Sequence, residues 1–158
     1  MDKIGGLRMQ NRFKYRIALH QDKYEEYGLE KFKNQRIFEV KTLNMGYENS
    51  TVEIIAEYPN GDWAVREIDY KDIDLMQCTG LKDKNSKLIY EGDILGGTYG
   101  NLYVHYCDNC KQFELKANDY GCMACEGDIH WCEVVESEDE NELEVIGNIY
   151  ENPELLED

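Results

Sequence analysis

Long apolar runs, proline and, towards the C-terminus, basic residues are scarce in this chain of 158 residues. No stretch approaches the roughly 20 consecutive apolar residues that cross a bilayer, so we expect no membrane-spanning helix. Residues 1–10 lack the apolar core of a signal peptide, and we interpret them as a mobile tail of a cytoplasmic protein. There are 2 prolines but 12 tyrosines, and tyrosine favours a half-buried pleated surface over a helix interior. Composition therefore favours a β fold.

Basic residues are absent after Lys116. Residues 117–158 contain 14 acids and no base, whereas residues 1–41 contain 10 bases and 6 acids. The whole chain has a formal net charge of −16. This acidity argues against nucleic acid as the main ligand, because neutralising phosphates requires a basic patch. The asymmetry fits either a solvated acidic face or a chain that docks on copies of itself or on a basic partner.

Short segments in which apolar and polar residues alternate run through most of the chain, and residues that favour turns separate them. We expect strands at 12–19, 35–43, 51–58, 63–68, 88–95 with a bend at Gly92, 101–106, 112–116, 129–135 and 143–149. The best helix candidate is 21–33, with a tyrosine-rich loop as the alternative because Gly28 weakens a helix. The predicted fold is mainly β, a small partly open barrel or sandwich of short antiparallel strands with a zinc-knuckle insertion.

The cysteines carry the strongest chemical signal in the chain. Two C-x2-C pairs separated by 11 residues are formed by Cys107, Cys110, Cys122 and Cys125. Each pair directs two thiolates at one ion, and two pairs give the tetrahedral four-sulfur shell that is typical of structural Zn²⁺. We expect residues 105–132 to be this zinc-binding region. A redox dithiol lacks its βαβ context, disulfides fit a cytosolic chain poorly, and an iron–sulfur cluster lacks its usual spacing.

Whether the zinc shell is closed is a separate question. A catalytic zinc keeps one position for water, whereas four cysteines close the shell. His105, His130 or Cys132 is near enough in sequence to replace one cysteine, and Glu126 or Asp128 would then be a nearby base. The motifs of zinc deaminases are absent. We therefore expect structural zinc, with a small zinc hydrolase as an alternative.

Two further blocks carry a family resemblance. Residues 75–94, LMQCTGLKDKNSKLIYEGDI, and residues 145–156, VIGNIYENPELL, closely resemble the signature blocks of the YopX family of phage and prophage proteins. The resemblance implies a single mostly β domain over residues 11–156, which leaves 157–158 as an acidic tail. It implies no activity, so it supplies no catalytic residue. Cys78 stands where the family usually has an aromatic residue, and we interpret it as part of the core.

Polar residues inside these blocks have an architectural interpretation. Glu91 and Asp93 are expected to end a turn by binding backbone N–H groups, and the alternative is a pair of functional carboxylates. Gly147, Asn148 and Asn152 are interpreted as turn residues around a final strand.

Three functions are consistent with these features. The first is a non-enzymatic accessory protein of a phage or prophage, which binds an unidentified protein or assembles as a homo-oligomer in the bacterial cytoplasm. The second is a decoy that mimics DNA, which the acidic stretch 117–158 suggests. The third is the zinc hydrolase. Sequence alone does not identify the partner.

Overall fold

The computed structural model describes residues 14–46, 50–58, 60–97, 100–109, 111–116 and 143–157. Ten strands lie within these ranges: β1 (Tyr15–Leu19), β2 (Ile37–Met45), β3 (Ser50–Glu57), β4 (Trp63–Asp69), β5 (Ile73–Lys82), β6 (Leu88–Tyr90), β7 (Asp93–Gly97), β8 (Gly100–Cys107), β9 (Gln112–Lys116) and β10 (Glu144–Asn148). Short 3-10 helices occupy Glu30–Phe32, Tyr70–Asp72 and Pro153–Leu156. The mainly β prediction is confirmed.

The strands form antiparallel sheets that stay open, so no closed barrel is present in the described part of the chain. Within the same part, none of the helices has the length and apolarity that crossing a membrane requires. The predicted strand at 129–135 and most of the predicted zinc insertion lie outside the described residues.

The chain divides into two compact units, and the boundary falls within β5. In the first unit, Lys14–Gln77, the strands pair in the order β4-β3-β2-β1-β5. Val52, Ile54 and Ala56 alternate along β3 and point into the core, as their period of two predicts. The other buried members of this core are Ile17, Leu19, Tyr24, Leu29, Phe32, Phe38, Ile68 and Ile73.

The predicted helix at 21–33 is wrong, and the alternative of a tyrosine-rich loop is confirmed. The segment is a succession of turns that ends in the 3-10 helix Glu30–Phe32. Gly28 has a φ of +64°, a left-handed conformation that an α-helix does not contain. The loop is held by burial of Tyr24 and Leu29 and by the Tyr24 hydroxyl, which donates to the Gln35 carbonyl at 2.7 Å.

Tyr27 fastens this loop to the segment before β5. Its hydroxyl donates to Asp72 Oδ2 at 2.7 Å and accepts from the Asp69 N–H at 3.2 Å. Lys23 Nζ lies 3.3 Å from Asp72 Oδ1. Burial and then the bond to Asp72 raise the pKa of Tyr27 to about 12. The hydroxyl of Tyr27 in turn holds the pKa of Asp72 below its ordinary value.

We expect Tyr27 to ionise in a late step of an alkaline titration. Its folded-state pKa of about 12 exceeds the ordinary 10.0, so its stabilisation is complete below pH 10 and lost as pH rises towards 12. Ultraviolet absorbance of tyrosinate measures this step, which Tyr27→Phe should remove and Tyr70→Phe should keep. A late step of unchanged amplitude in Tyr27→Phe would contradict the assignment.

The second unit is described from Cys78 onward. The last part of β5 pairs with β6, and a four-stranded sheet has the order β10-β7-β8-β9. Gly92 has a φ of +78° and separates β6 from β7, so the predicted bend within one strand is instead a turn between two strands. The core cluster of this unit contains Ile89 of β6 together with Leu95, Val104 and Leu115 of the four-stranded sheet.

The two blocks that resemble the family signature meet in space. Asp83, which is 6% exposed, accepts the backbone N–H groups of Asn85 (2.9 Å) and Lys87 (2.8 Å) through Oδ1. Its Oδ2 accepts the N–H of Val145 at 3.1 Å. The Ile149 N–H also donates to the Gly92 carbonyl at 2.9 Å. The turn between β5 and β6 is thereby attached to β10, and the Lys84 N–H, which donates to the Leu143 carbonyl at 3.0 Å, and the Lys84–Glu144 ion pair at 2.6 Å add to the attachment.

Asp93 and Asn148 both organise turns, as their sequence context predicts. Asp93 Oδ2 accepts the Tyr90 N–H at 2.9 Å, and Asp93 is 2% exposed. Asn148 Oδ1 accepts the N–H groups of Tyr150 and Glu151, each at 2.9 Å. Burial of Asp93 leaves no accessible carboxylate pair at this turn.

Gly147 serves close packing and not a turn. It lies within β10, and a Cβ placed there would sit 2.7 Å from Asn152 Oδ1 and 2.9 Å from Leu155 Cδ1. The absent side chain lets the 3-10 helix Pro153–Leu156 and the residue before it approach the strand.

Candidate functional site

Cys107 is the one predicted zinc ligand that lies among the described residues. It is the last residue of β8, is 3% exposed, and pairs with Gln112 on β9. The remaining predicted ligands and two of the proposed substitutes lie outside the described residues: Cys110, Cys122, Cys125, His130 and Cys132. The zinc site therefore stays a prediction.

The hairpin that follows Cys107 has a geometry that suits a metal-binding knuckle. Lys111, the residue after the C-x2-C pair, has a φ of +56°. Its N–H donates to the Cys107 carbonyl at 2.8 Å and closes a tight loop between β8 and β9. A left-handed residue at such a position turns successive N–H groups inwards, where they can stabilise negative charge. The ammonium of Lys111 lies 3.4 Å from Asp108 Oδ1.

His105 lies on the same strand as Cys107, two residues before it. It pairs across the sheet with Glu114, and its Nε2 lies 3.9 Å from Glu114 Oε1. Lys116 Nζ approaches the same oxygen at 3.6 Å, and Glu114 is 1% exposed. A buried carboxylate therefore lies between a histidine and a lysine. Within the described ranges, no group of three or more His, Cys, Asp or Glu side chains is placed to hold a metal ion.

A second feature, which the sequence analysis missed, is an apolar patch on the solvent-facing side of the first unit's sheet. Trp63 on β4 is 68% exposed, and Ile55 on β3 is 46% exposed. Val65, directly opposite Ile55 across the β3–β4 ladder, completes the patch. A contiguous exposed group of large apolar side chains is a mark of an interaction surface.

Carboxylates surround this patch. The residues are Glu39, Glu53, Glu57, Glu67 and Asp69, and together with Trp63, Ile55 and Val65 they are called the outer face below. Lys41 lies 3.7 Å from Glu53, and Lys71 lies 2.7 Å from Asp69. The Thr51 hydroxyl donates to Glu67 at 2.7 Å. The outer face thus combines an apolar centre with an acidic surround.

Two grooves indent the outer face. One, of about 710 Å³, is lined by residues that include Arg16, Ile37, Glu39, Ile55, Glu57 and Tyr58. The other, of about 780 Å³, is lined by residues that include Leu43, Asn44, Met45, Thr51, Glu67 and Asp69. Both grooves lie entirely within Lys14–Gln77 and place apolar side chains beside carboxylates.

Sequence contained one signal of this surface. Ile55 interrupts the alternation of apolar and polar residues along β3. It is apolar, whereas Glu53 and Glu57, which point to the same side of the sheet, are acidic. An apolar residue on the solvent-facing side of a strand is not buried in the core that the other side covers. The sequence around Trp63 contained no such signal, because it does not reveal that β4 lies at the edge of the sheet.

Comparisons with known proteins point to one family. A family model described as YopX protein matches residues 29–157. The fold is similar to a crystal structure of protein EF1440 from Enterococcus faecalis, with a TM-score of 0.54 and 28% sequence identity over 91% of this chain and 97% of that one. The comparison with curated proteins finds no match.

Proposed function

This chain belongs to the YopX protein family, and we propose that it is a phage- or prophage-encoded accessory protein that works by binding another protein. It acts in the cytoplasm of the bacterial host and catalyses no reaction. The outer face is the binding surface. The alternative is that the chain forms a homo-oligomer through the same face.

The exposed position of Trp63 is the observation that carries the proposal. Tryptophan is enriched among the residues that dominate binding energies, and a contiguous exposed apolar patch marks an interaction site. At 68% exposure next to Ile55 and Val65, it presents an apolar centre with a polar rim. That arrangement is the usual anatomy of a protein interface.

Binding is favoured over catalysis by how three of the buried carboxylates, Asp72, Asp83 and Asp93, are used. Asp83 and Asp93 accept backbone N–H groups, and Asp72 accepts the hydroxyl of Tyr27. Each of these three carboxylates therefore has an architectural task. A catalytic acid or base needs access to a substrate, which these side chains lack.

We also propose that Cys107, Cys110, Cys122 and Cys125 hold one structural Zn²⁺. The support is their spacing together with the tight loop closed by the Lys111 N–H and the Cys107 carbonyl. The ion would cross-link residues 107–125 and supply no chemistry beyond holding that segment together.

Affinity capture from the bacterial host during prophage induction, with nuclease treatment, tests the binding proposal. The tagged full chain is compared with a Trp63→Ser, Ile55→Ser double variant and with Ile146→Ser, a control at a 40% exposed apolar residue on β10, which is not part of the outer face. We expect one stoichiometric protein partner, which the double variant loses and the control keeps. Folding of each variant is checked by thermal unfolding.

The outcome also separates the other functions. A partner captured equally by the double variant contradicts binding through the outer face. A host nucleic-acid-binding protein that DNA displaces would support the DNA-mimic decoy. Recovery of the bait alone as a defined oligomer, lost in the double variant, would support self-assembly.

A further inference from the structure

One edge of the first unit's sheet is formed by β4. Within the described residues, β4 pairs with β3 and with no other strand, so it stands at the end of the order β4-β3-β2-β1-β5. An edge strand presents a row of backbone N–H and C=O groups with which another extended chain can pair. β4 contains neither proline nor lysine, the residues that commonly block such an edge. The backbone of β4 is therefore suited to pairing with an added strand.

The register of the β3–β4 hairpin shows which backbone groups of β4 point away from β3. The Tyr58 N–H donates to the Asp62 carbonyl at 2.7 Å, and the pairing continues from there along β4 without a shift. Hydrogen-bonded pairs recur at every second residue of an antiparallel ladder, so the even-numbered residues of β4 bond to β3. The residues that direct their backbone groups outwards are Trp63, Val65, Glu67 and Asp69.

Two side chains bond to this outward row and agree with that assignment. The Asp69 N–H donates to the Tyr27 hydroxyl at 3.2 Å. Arg66 Nη1 donates to the Val65 carbonyl at 3.0 Å. The bond at Asp69 marks where an added strand must end, whereas the Val65 carbonyl oxygen has a second lone pair for another donor. The stretch from Trp63 to Glu67 is thus the part of the edge that suits pairing.

From this arrangement we propose that an extended segment of the protein partner adds to β4 as an antiparallel strand. It places apolar residues opposite Trp63 and Val65 and a basic residue opposite Glu67. The inference deepens the proposed function and rests on it. Backbone hydrogen bonds supply affinity in this mode of recognition, and the side chains opposite one another supply specificity. Antiparallel pairing continues the direction of the ladders that already join β1 to β5.

The side chains of β4 specify the composition of the segment. Trp63 is 68% exposed and Val65 is half-buried, and directly opposite apolar side chains would cover both on the outer face. Glu67 is exposed and favours a basic residue opposite it. An extended peptide with this pattern extends the apolar patch and complements the carboxylates of the outer face.

A second copy of the chain is the less favourable occupant. Two β4 strands paired side by side would bring the carboxylates of two outer faces next to one another, and like charges that meet across strands are destabilising. Each copy also has a net charge of −16, which opposes self-association. Charge complementarity therefore favours a basic segment of another protein.

An NMR measurement of amide exchange on the full, isotope-labelled chain tests this proposal. The probe is the acetylated, amidated peptide Thr-Lys-Thr-Val-Thr-Leu-Thr, whose lysine, valine and leucine match Glu67, Val65 and Trp63 in antiparallel order. We expect the peptide to slow exchange at the N–H groups of these three residues. Methylating the backbone nitrogens of its valine and leucine should weaken binding about 10-fold or more, because two hydrogen bonds to β4 are lost. Methylating the two threonines beside the valine, whose N–H groups face away, should leave binding unchanged.

A pair of variants at one position separates the backbone from the side chain. Val65→Pro removes an outward N–H, and proline is tolerated on an edge strand where that group faces solvent. We expect this variant to fold, as checked by thermal unfolding, and to lose the peptide. Val65→Thr keeps the N–H and should weaken binding by no more than about 5-fold, since only one cross-strand side-chain pair changes. The methylated peptides test the wild-type chain even if Val65→Pro does not fold.

Several outcomes would overturn strand addition. They are unchanged exchange at Trp63, Val65 and Glu67, equal binding of the two methylated peptides, and equal binding by folded Val65→Pro. Slower exchange at these amides on raising the protein concentration alone would overturn a partner segment and assign the edge to a second copy. Capture of a partner that depends on Trp63 and Ile55 but not on the Val65 N–H would overturn strand addition and leave the proposed function standing.

Discussion

Asp83→Ala should lower the free energy of unfolding by about 3 kcal/mol. The carboxylate accepts three backbone N–H groups, from Asn85, Lys87 and Val145. Alanine leaves these donors without an acceptor in a partly buried setting, and hydrogen bonds to charged groups are each worth about 1.5–3 kcal/mol. Chemical denaturation measures the loss, and Asp22→Ala, at an exposed position, is the control.

The same carboxylate makes stability depend on pH. Burial alone would raise the pKa of Asp83, but the N–H groups of Val145, Lys87 and Asn85 outweigh burial and hold that pKa below the ordinary 3.8. Its stabilisation is therefore present above the ordinary pKa and lost as pH falls through the lower folded-state value. Unfolding free energies measured as pH falls below 4 should decline more steeply in the wild type than in Asp83→Asn. Parallel curves would show that Asp83 does not hold the turn.

Cys122→Ser should abolish zinc binding, from one ion per chain to none. A hydroxyl is a far poorer zinc ligand than a thiolate, and a structural site needs all four ligands to close its shell. We expect residues 107–132 to lose protection from hydrogen exchange, while the strands of Lys14–Gln77 keep theirs. Metal analysis and hydrogen exchange measured by mass spectrometry provide the two readouts.

Cys132→Ser is the matched control for the ligand assignment, since Cys132 lies outside the two C-x2-C pairs. It should keep zinc. Loss of zinc in this variant would place Cys132 in the shell and remove one of the four assigned cysteines. Cobalt substitution adds a further test. An absorption spectrum of the cobalt-substituted protein that reveals an exchangeable fourth ligand would contradict structural zinc and favour the hydrolase. Unfolding of the whole chain in Cys122→Ser would show that the metal supports more than its own segment.

The prediction of β3 succeeded because one face of that strand is buried and the other is not. Val52, Ile54 and Ala56 on β3 show the resulting period of two. β5 was not assigned, because it buries residues on both faces and its alternation is lost. Met76, Cys78 and Thr79 are all buried within it. Burial of Cys78 confirms that it belongs to the core.

The failed helix at 21–33 has a comparable cause. The spacing of the tyrosines is compatible with one face of a helix. It is equally compatible with a loop that is held in place by hydrogen bonds of the tyrosine hydroxyls. Tyr24 and Tyr27 bond to Gln35 and Asp72, which are distant in sequence. A local pattern contains no information about such partners.

What the sequence determined by itself was the β class, most strand positions, the family and the cysteine spacing, since these depend on periodicity and on residues near one another along the chain. Tertiary structure alone decided that Asp83 holds β10, that Gly147 makes room for a 3-10 helix, and that Trp63, Ile55 and Val65 form one exposed patch. Each of these depends on which strands become neighbours and which strand lies at an edge. That choice is made by burial over the whole sheet, which no local segment encodes.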